Sequence, residues 1–271
     1  MRRDGPPRAA RRLRAVLVGL ILLYLIAPAM IVIPLSFTGE SMRRFPVAEF
    51  SLAAYTRFFE QPGWVSTTVF SLSMAACVMI FAVLLGTATA YGVVHSPPLL
   101  KRIVSVLVLL PIIAPTIVFA LGIFWLLTQL RLLGTFAGFV CANLVLALPY
   151  AIVVIRSGLE RFDHSLLKAA AVLGARPARA VFFVATPLLL PAIAAGALFA
   201  FLIAFDEVVV AQFISGPHAV PLSKQMWDGI LYRWDPAISA ISTMQIAMTI
   251  AVLVFLALLR RKRDGGIGKH R

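Results

Sequence analysis

Acidic residues are scarce. The 271-residue chain holds 11 Asp and Glu against 25 Lys and Arg, and charged residues make up only 13% of it. Soluble domains carry about a quarter charged residues, so composition excludes an ordinary solvent-facing domain. Cysteine is nearly missing as well. Cys77 and Cys141 both lie inside apolar runs, which excludes a disulfide framework or a cysteine metal site and leaves two small core residues. The four histidines, His95, His164, His218 and His270, are scattered without ligand spacing. No Gly-x-x-x-x-Gly-Lys-[Ser/Thr] run occurs, so the backbone cradle and lysine that hold nucleotide phosphates are lacking. Nor is there a paired-carboxylate or nucleophile–histidine arrangement of the kind an enzyme needs.

What the chain has is apolar length. It is 61% hydrophobic, with several runs of about 20 residues, enough to cross a hydrocarbon core of roughly 30 Å. Six runs are predicted to span a membrane: residues 15–35, 65–94, 103–127, 136–155, 187–213 and 237–259. Each is expected to be helical, because lipid offers the backbone no other hydrogen-bond partner. The first follows an arginine-rich start, and a cleaved signal peptide is its rival reading. Its length, and Pro28 and Pro34 with no small-residue cleavage site after them, favour a retained span. Pro111 and Pro115 predict a kinked third span, either a curved helix in a bundle or a bend beside a pathway. The fold class is therefore an all-α membrane protein. A basic tail, residues 1–14, precedes a single membrane domain, residues 15–259, and a second basic tail covers residues 260–271.

The net charge of +14 raises nucleic acid as a partner, but its placement excludes that. Basic residues crowd against apolar runs, as in "RRLR" at 11–14 and "RRKR" at 260–263, which is a topology signal. Six spans put both termini on one side, together with Lys101, Arg102 and the basic residues of 156–179. The opposite loops keep only Arg43, Arg44, Arg57, Arg131, Lys224 and Arg233. The positive-inside rule then places both termini in the cytoplasm.

One stretch on that side, residues 159–183, interrupts the apolar pattern. Leu159, Phe162, Leu166, Ala170 and Leu173 share a stripe, with Arg161, Asp163, His164 and Lys168 opposite. This predicts an amphipathic helix of about four turns. Gly174 suits a left-handed helix end, and Pro177 the first turn of a second helix, with Pro187 opening the fifth span. A basic amphipathic segment can lie on anionic lipid, stand solvated, or fit a partner's groove. The sharp corner beside small residues favours the groove.

The run "KAAAVLGARPARAVFFVATPLLLPAI" (168–193) resembles the cytoplasmic loop signature of permease subunits in binding-protein-dependent ABC importers. That signature is Glu-Ala-Ala, three residues, then Gly. Ala169, Ala170 and Gly174 match it, and Lys168 stands at the acidic position. The runs "LPYAIVVIRSGL" (148–159), "FDEVVVAQFISGP" (205–217), "MWDGI" (226–230) and "DPAISAIST" (235–243) are similar to the spermidine/putrescine-type branch. The resemblance implies that Leu166, Lys168, Ala169, Ala170, Leu173, Gly174, Ala175 and Pro177 form a coupling helix and corner. These would dock on a cytoplasmic ABC ATPase dimer, which binds the ATP, so this chain is expected to hold no cofactor and to catalyse nothing. It further implies a second permease subunit, identical or related, and an external substrate-binding protein. The cell inner membrane is the expected location.

Asp206 and Glu207 fall about 20 residues after Pro187, which at roughly 1.5 Å per residue puts them near the outer end of the fifth span. Adjacent acids there are costly unless they face water or a partner. They either attract a cationic solute or pair with Arg233, Lys224 or a partner subunit. Neighbouring helix positions differ by about 100°, so the two are not expected to face one pathway equally. Met226, Trp227, Ile230, Leu231 and Trp234 recur at helical spacing, predicting a short helix at the outer interface. Trp227 and Asp228 join Asp206 and Glu207 as candidates for the substrate path. Ser51 is expected to cap a helix whose Leu52, Tyr55, Phe58 and Phe59 turn inward. Three other readings stay open: an importer permease for ferric iron, an opine or an organic anion; an ion-coupled secondary transporter; and a membrane scaffold.

Overall fold

A computed structural model of the chain describes residues 8–38, 50–163, 165–217, 219–233 and 235–267. Arg43, Arg44, His164, His218, Trp234 and His270 lie outside the described residues. The described residues are helical apart from turns and two isolated β-bridges, Thr38 with Phe50 and Gly216 with Ala219. They divide into two compact units, one built from both chain ends and the other from Gly63–Asp228.

The first unit contains α1 (Arg8–Leu35), α2 (Ala53–Glu60), a π-helical turn (Gly229–Arg233) and α12 (Ala237–Ile267). Both α1 and α2 pack on α12. The buried Ser36 hydroxyl lies 2.8 Å from the Tyr55 hydroxyl, and Arg57 pairs with Asp235 at 3.6 Å. Ser51 accepts the Ala53 N–H at 3.1 Å, but the cap position of α2 is Leu52 rather than the expected Ser51. Only part of the expected inward face is inward. Phe58 is buried, but Leu52 and Phe59 are exposed, because a helix of eight residues turns one narrow stripe to its support.

The second unit runs α3 (Pro62–His95), α4 (Pro98–Ile113), α5 (Thr116–Gln129), α6 (Phe136–Glu160), α7 (Ser165–Val172) and α8 (Pro177–Ala180). A π-helical turn (Val181–Ala185) leads into α9 (Thr186–Asp206), followed by α10 (Val209–Ile214) and α11 (Leu222–Asp228). Large side chains such as Phe139, Met74 and Ile155 are fully buried in its core, and the face between α6 and α9 is lined by small ones. Along α9, Gly196, Ala200 and Ala204 are buried one turn apart, and α6 answers with Ala147 and Ala151. A β-carbon on Gly196 would stand 2.9 Å from Ile155. Backbones approach this closely only where side chains are small, and dispersion then does the work that the hydrophobic effect does in water. Gly86 of α3 meets Ala151 in the same way.

Among the described residues, four helices are long and apolar enough to cross a membrane: Leu13–Leu35, Pro62–His95, Phe136–Glu160 and Val181–Asp206. A fifth results if α4 and α5, bent by 98° at a short break, count as one span. Where one kinked helix is expected for the third span, the structure has two helices separated by a sharp break. Ala114 precedes Pro115 and takes an extended ψ of 137°, since the proline ring disfavours helical geometry at the residue before it. In α12 the apolar stretch found among the described residues is Ala237–Ala251.

Candidate functional site

The interrupted segment differs from the single four-turn helix that its stripe predicts. Leu159 is buried in the last turn of α6, which runs on to Glu160. The chain then turns through Arg161 and Phe162. The Asp163 carboxylate accepts the Ser165 N–H at 2.9 Å, satisfying one of the free donors at a helix start. Only then does α7 begin, eight residues long.

The end of α7 is a sharp, hydrogen-bonded corner. Gly174 has φ +85°, a region that costs other residues steric strain. Ala175 donates its N–H to the Ala170 carbonyl and Gly174 donates to Ala171, both at 3.0 Å. This is the Schellman arrangement, which closes a helix on a left-handed glycine. Pro177 then opens α8. Lys168 and Ala169 are exposed, Leu166 is 41% exposed, and Ala170 and Ala175 are half-buried. At the tip, Val172 and Leu173 are 88% and 87% exposed. Burying such side chains would gain roughly 1.5–3 kcal/mol each. Leu173, placed by spacing on one stripe with Leu159, thus parts from it: Leu159 is buried and Leu173 is exposed.

Beyond the corner the chain stays helical through a π turn. Pro187 has no N–H to donate and its ring crowds the carbonyl four residues back. The ladder accommodates this one residue earlier, where the Thr186 N–H reaches the Val181 carbonyl. Behind α7 lies a cavity of about 520 Å³ lined by Thr87, Tyr91, Leu159, Leu167 and Leu189 among others.

A polar group joins α4 to the end of α6. Glu160 Oε1 takes Arg156 Nε at 2.9 Å and Lys101 Nζ at 3.1 Å. Arg156 Nη1 also donates to Ser105 Oγ at 2.7 Å. Sequence reading passed over this set, although Arg156 and Glu160 stand at the i, i+4 spacing of a helical ion pair.

At the far end of α9 the two acids part company. Helix α9 stops at Asp206, and Glu207 is extended with ψ 114°. The Glu207 carboxylate accepts the Val210 N–H at 2.6 Å, capping α10, where a negative charge also suits the helix dipole. The Glu207 carbonyl takes the Ser223 hydroxyl at 2.8 Å. Lys224 pairs with Asp228 at 2.6 Å rather than with either acid. Helix α11 is pinned by its first N–H, from Leu222 to the buried Ser71 hydroxyl at 2.7 Å. Trp227 is 47% exposed. Asp206 is exposed, and among the described residues no hydrogen bond or ion pair engages its carboxylate or joins it to Trp227 or Asp228. Among the described residues no group of three or more His, Cys, Asp or Glu is placed to hold a metal.

Residues 82–262 match the family described as the binding-protein-dependent transport system inner membrane component. The spermidine/putrescine transport system permease protein PotC of Shigella flexneri is 28% identical over 263 residues, covering 95% of this chain and 97% of its own length. The putrescine transport system permease protein PotI of Escherichia coli (strain K12) is 28% identical over 257 residues, 92% of this chain and 90% of its own. Among solved structures, a bacterial ABC transporter involved in the import of the acidic polysaccharide alginate has a similar fold. Its TM-score is 0.73 at 18% identity, over 94% of this chain and 98% of that one. The family match takes in the Gly174 corner, the α6–α9 interface and the acids at the end of α9. This chain belongs to the family of inner-membrane components of binding-protein-dependent transport systems, as a multi-pass permease.

Proposed function

We propose that this chain is one of two permease subunits of an ATP-driven importer. It lines the path by which a polyamine, or a related small cationic solute, crosses the inner membrane. Relatives named for spermidine and putrescine transport support that cargo class. Six spans, counting α4 with α5 as one and α12 as the last, fit the excess of Lys and Arg at the tails and in residues 156–179 with both termini cytoplasmic.

In that orientation the corner faces the cytoplasm. The observation that carries the reading is the Gly174 turn with Val172 and Leu173 exposed at its tip. A helix lying on lipid needs an apolar face but no such corner. The tip enters a groove of a cytoplasmic ABC ATPase dimer, which binds the ATP. Lys168 replaces the acid of the family signature, so docking here rests on shape and apolar contact rather than on that charge. A second permease subunit, identical or related, matches the two-fold ATPase, and a periplasmic binding protein delivers the solute. Closure of the ATPase favours one conformation of the spans over the other through contacts that differ between the two.

On the outer side, the unengaged Asp206 carboxylate meets the cation, while Glu207 builds the turn. Trp227 and Asp228 stand on the helix that this turn positions. The test is reconstitution. Proteoliposomes with the ATPase, both permeases and the binding protein should import labelled spermidine when ATP is supplied. They should stop when the ATPase is disabled. Import driven by an ion gradient without the ATPase would overturn the reading.

A further inference from the structure

Helix α4 has no fully buried residue within the chain, and its apolar contact is limited to half-buried residues such as Val104 and Val108. What holds its first turns to α6 is polar. Lys101 and Ser105 lie one turn apart on α4 and face Glu160 and Arg156 on α6. Ser105 donates its hydroxyl hydrogen to the Lys101 carbonyl at 2.6 Å, which leaves its oxygen free to accept from Arg156. The Arg156 guanidinium holds the Glu160 carboxylate and the Ser105 hydroxyl at once, a two-acceptor geometry that a lysine ammonium does not pre-organise.

The ends of this arrangement differ. Glu160 is the last residue of α6, the point from which the 159–183 segment leaves the bundle. At its other end α4 stops at the break before Pro115, where the helix axis turns by 98°. Beyond it α5 packs on α10, the helix that Glu207 caps. So α4 is an arm, clasped to the root of the corner segment at one end and hinged at the other.

We propose that Arg156 and Glu160 are positioning residues for transport. They clasp α4 to the base of the corner segment, so that displacement of that segment moves α4 and, through the Ala114–Pro115 break, α5 and α10. This rests on the reading of the segment as the ATPase-coupling element. Coupling between distant sites needs a contact that both states bias, and the clasp is that contact. Its polar character matters. Lipid-exposed apolar surface lets α4 slide, whereas the part-buried, directional bond from Arg156 to Ser105 fixes one register between the helices.

The experiment uses the complete transporter in proteoliposomes and reads labelled spermidine imported per ATP hydrolysed. Glu160→Gln and Ser105→Ala are each expected to lower that ratio about 5-fold or more, with ATP hydrolysis and the KM for ATP retained. The double variant should fall no further than the worse single, since both break one clasp. Glu160→Asp, which keeps the charge, should recover most of the ratio. Wild-type ratios in both single variants would overturn the proposal. So would import and hydrolysis falling together in step with loss of assembled complex, which marks a purely structural role. Import by the unaltered complex that ignores a disabled ATPase would instead remove the coupling reading on which the clasp depends.

Discussion

Ala175 donates its backbone N–H to the Ala170 carbonyl, 3.0 Å away, and this bond closes the corner at Gly174. A β-carbon at φ +85° adds strain of roughly 1–2 kcal/mol, applied to a helix of only eight residues. Gly174→Val is therefore expected to cut ATP-driven uptake about 10-fold, the effect of some 1.4 kcal/mol on the fraction of correctly formed corners. Membrane insertion should be unchanged. Gly174→Asn, whose side chain tolerates the left-handed region, should keep most of the activity. Uptake normalised to permease in the membrane checks both. Indistinguishable variants would show that the corner's geometry is dispensable.

The two acids at the end of α9 should separate by assay. Asp206→Asn removes a carboxylate with no partner among the described residues. It is expected to raise the KM for a cationic solute about 10-fold, as loss of a charged hydrogen bond worth roughly 1.5–3 kcal/mol would, without altering the thermal midpoint in detergent. Glu207→Ala loses the cap on Val210 and should lower stability by about 0.5–2 kcal/mol. A stability loss confined to Asp206→Asn would reverse the assignment.

The tight face between α6 and α9 gives a packing test. A β-carbon on Gly158 would overlap that of Ala192. Gly158→Ala should destabilise the bundle by about 1–3 kcal/mol, the usual cost of overpacking. Ala192→Gly added to it should restore most of the loss by removing the clashing atom. Thermal unfolding in a single detergent measures both, and failure of the second change to rescue would mean that the two helices are held elsewhere.

Apolar length made the large helices legible. The runs at 65–94 and 136–155 lie within α3 and α6, and the run at 187–213 covers most of α9 and of α10. Glycine and proline chemistry made the corner legible too, because Gly174 and Pro177 each carry a local backbone preference. Periodicity failed where it was read through a helix end. The stripe from Leu159 to Leu173 crosses the Asp163 cap, and spacing alone does not register a cap. The small-residue faces were invisible for another reason. In an apolar chain Ala200 and Ala204 do not stand out from Leu and Phe by hydropathy, though both are fully buried; their spacing of four was the available signal. The Lys101–Glu160 pair joins residues far apart in sequence, so no local pattern marks it.

The first helix lends itself to a different conclusion. Within Leu13–Leu35 the most apolar stretch has none of its residues buried by the rest of the chain. A stretch that takes so little cover from its own chain is suited to apolar surroundings supplied from outside it. It can enter the bilayer before the other helices exist, and denaturing the remainder should leave it standing there. Biogenesis and assembly are thus separable steps for this segment, and damage to one need not be damage to the other.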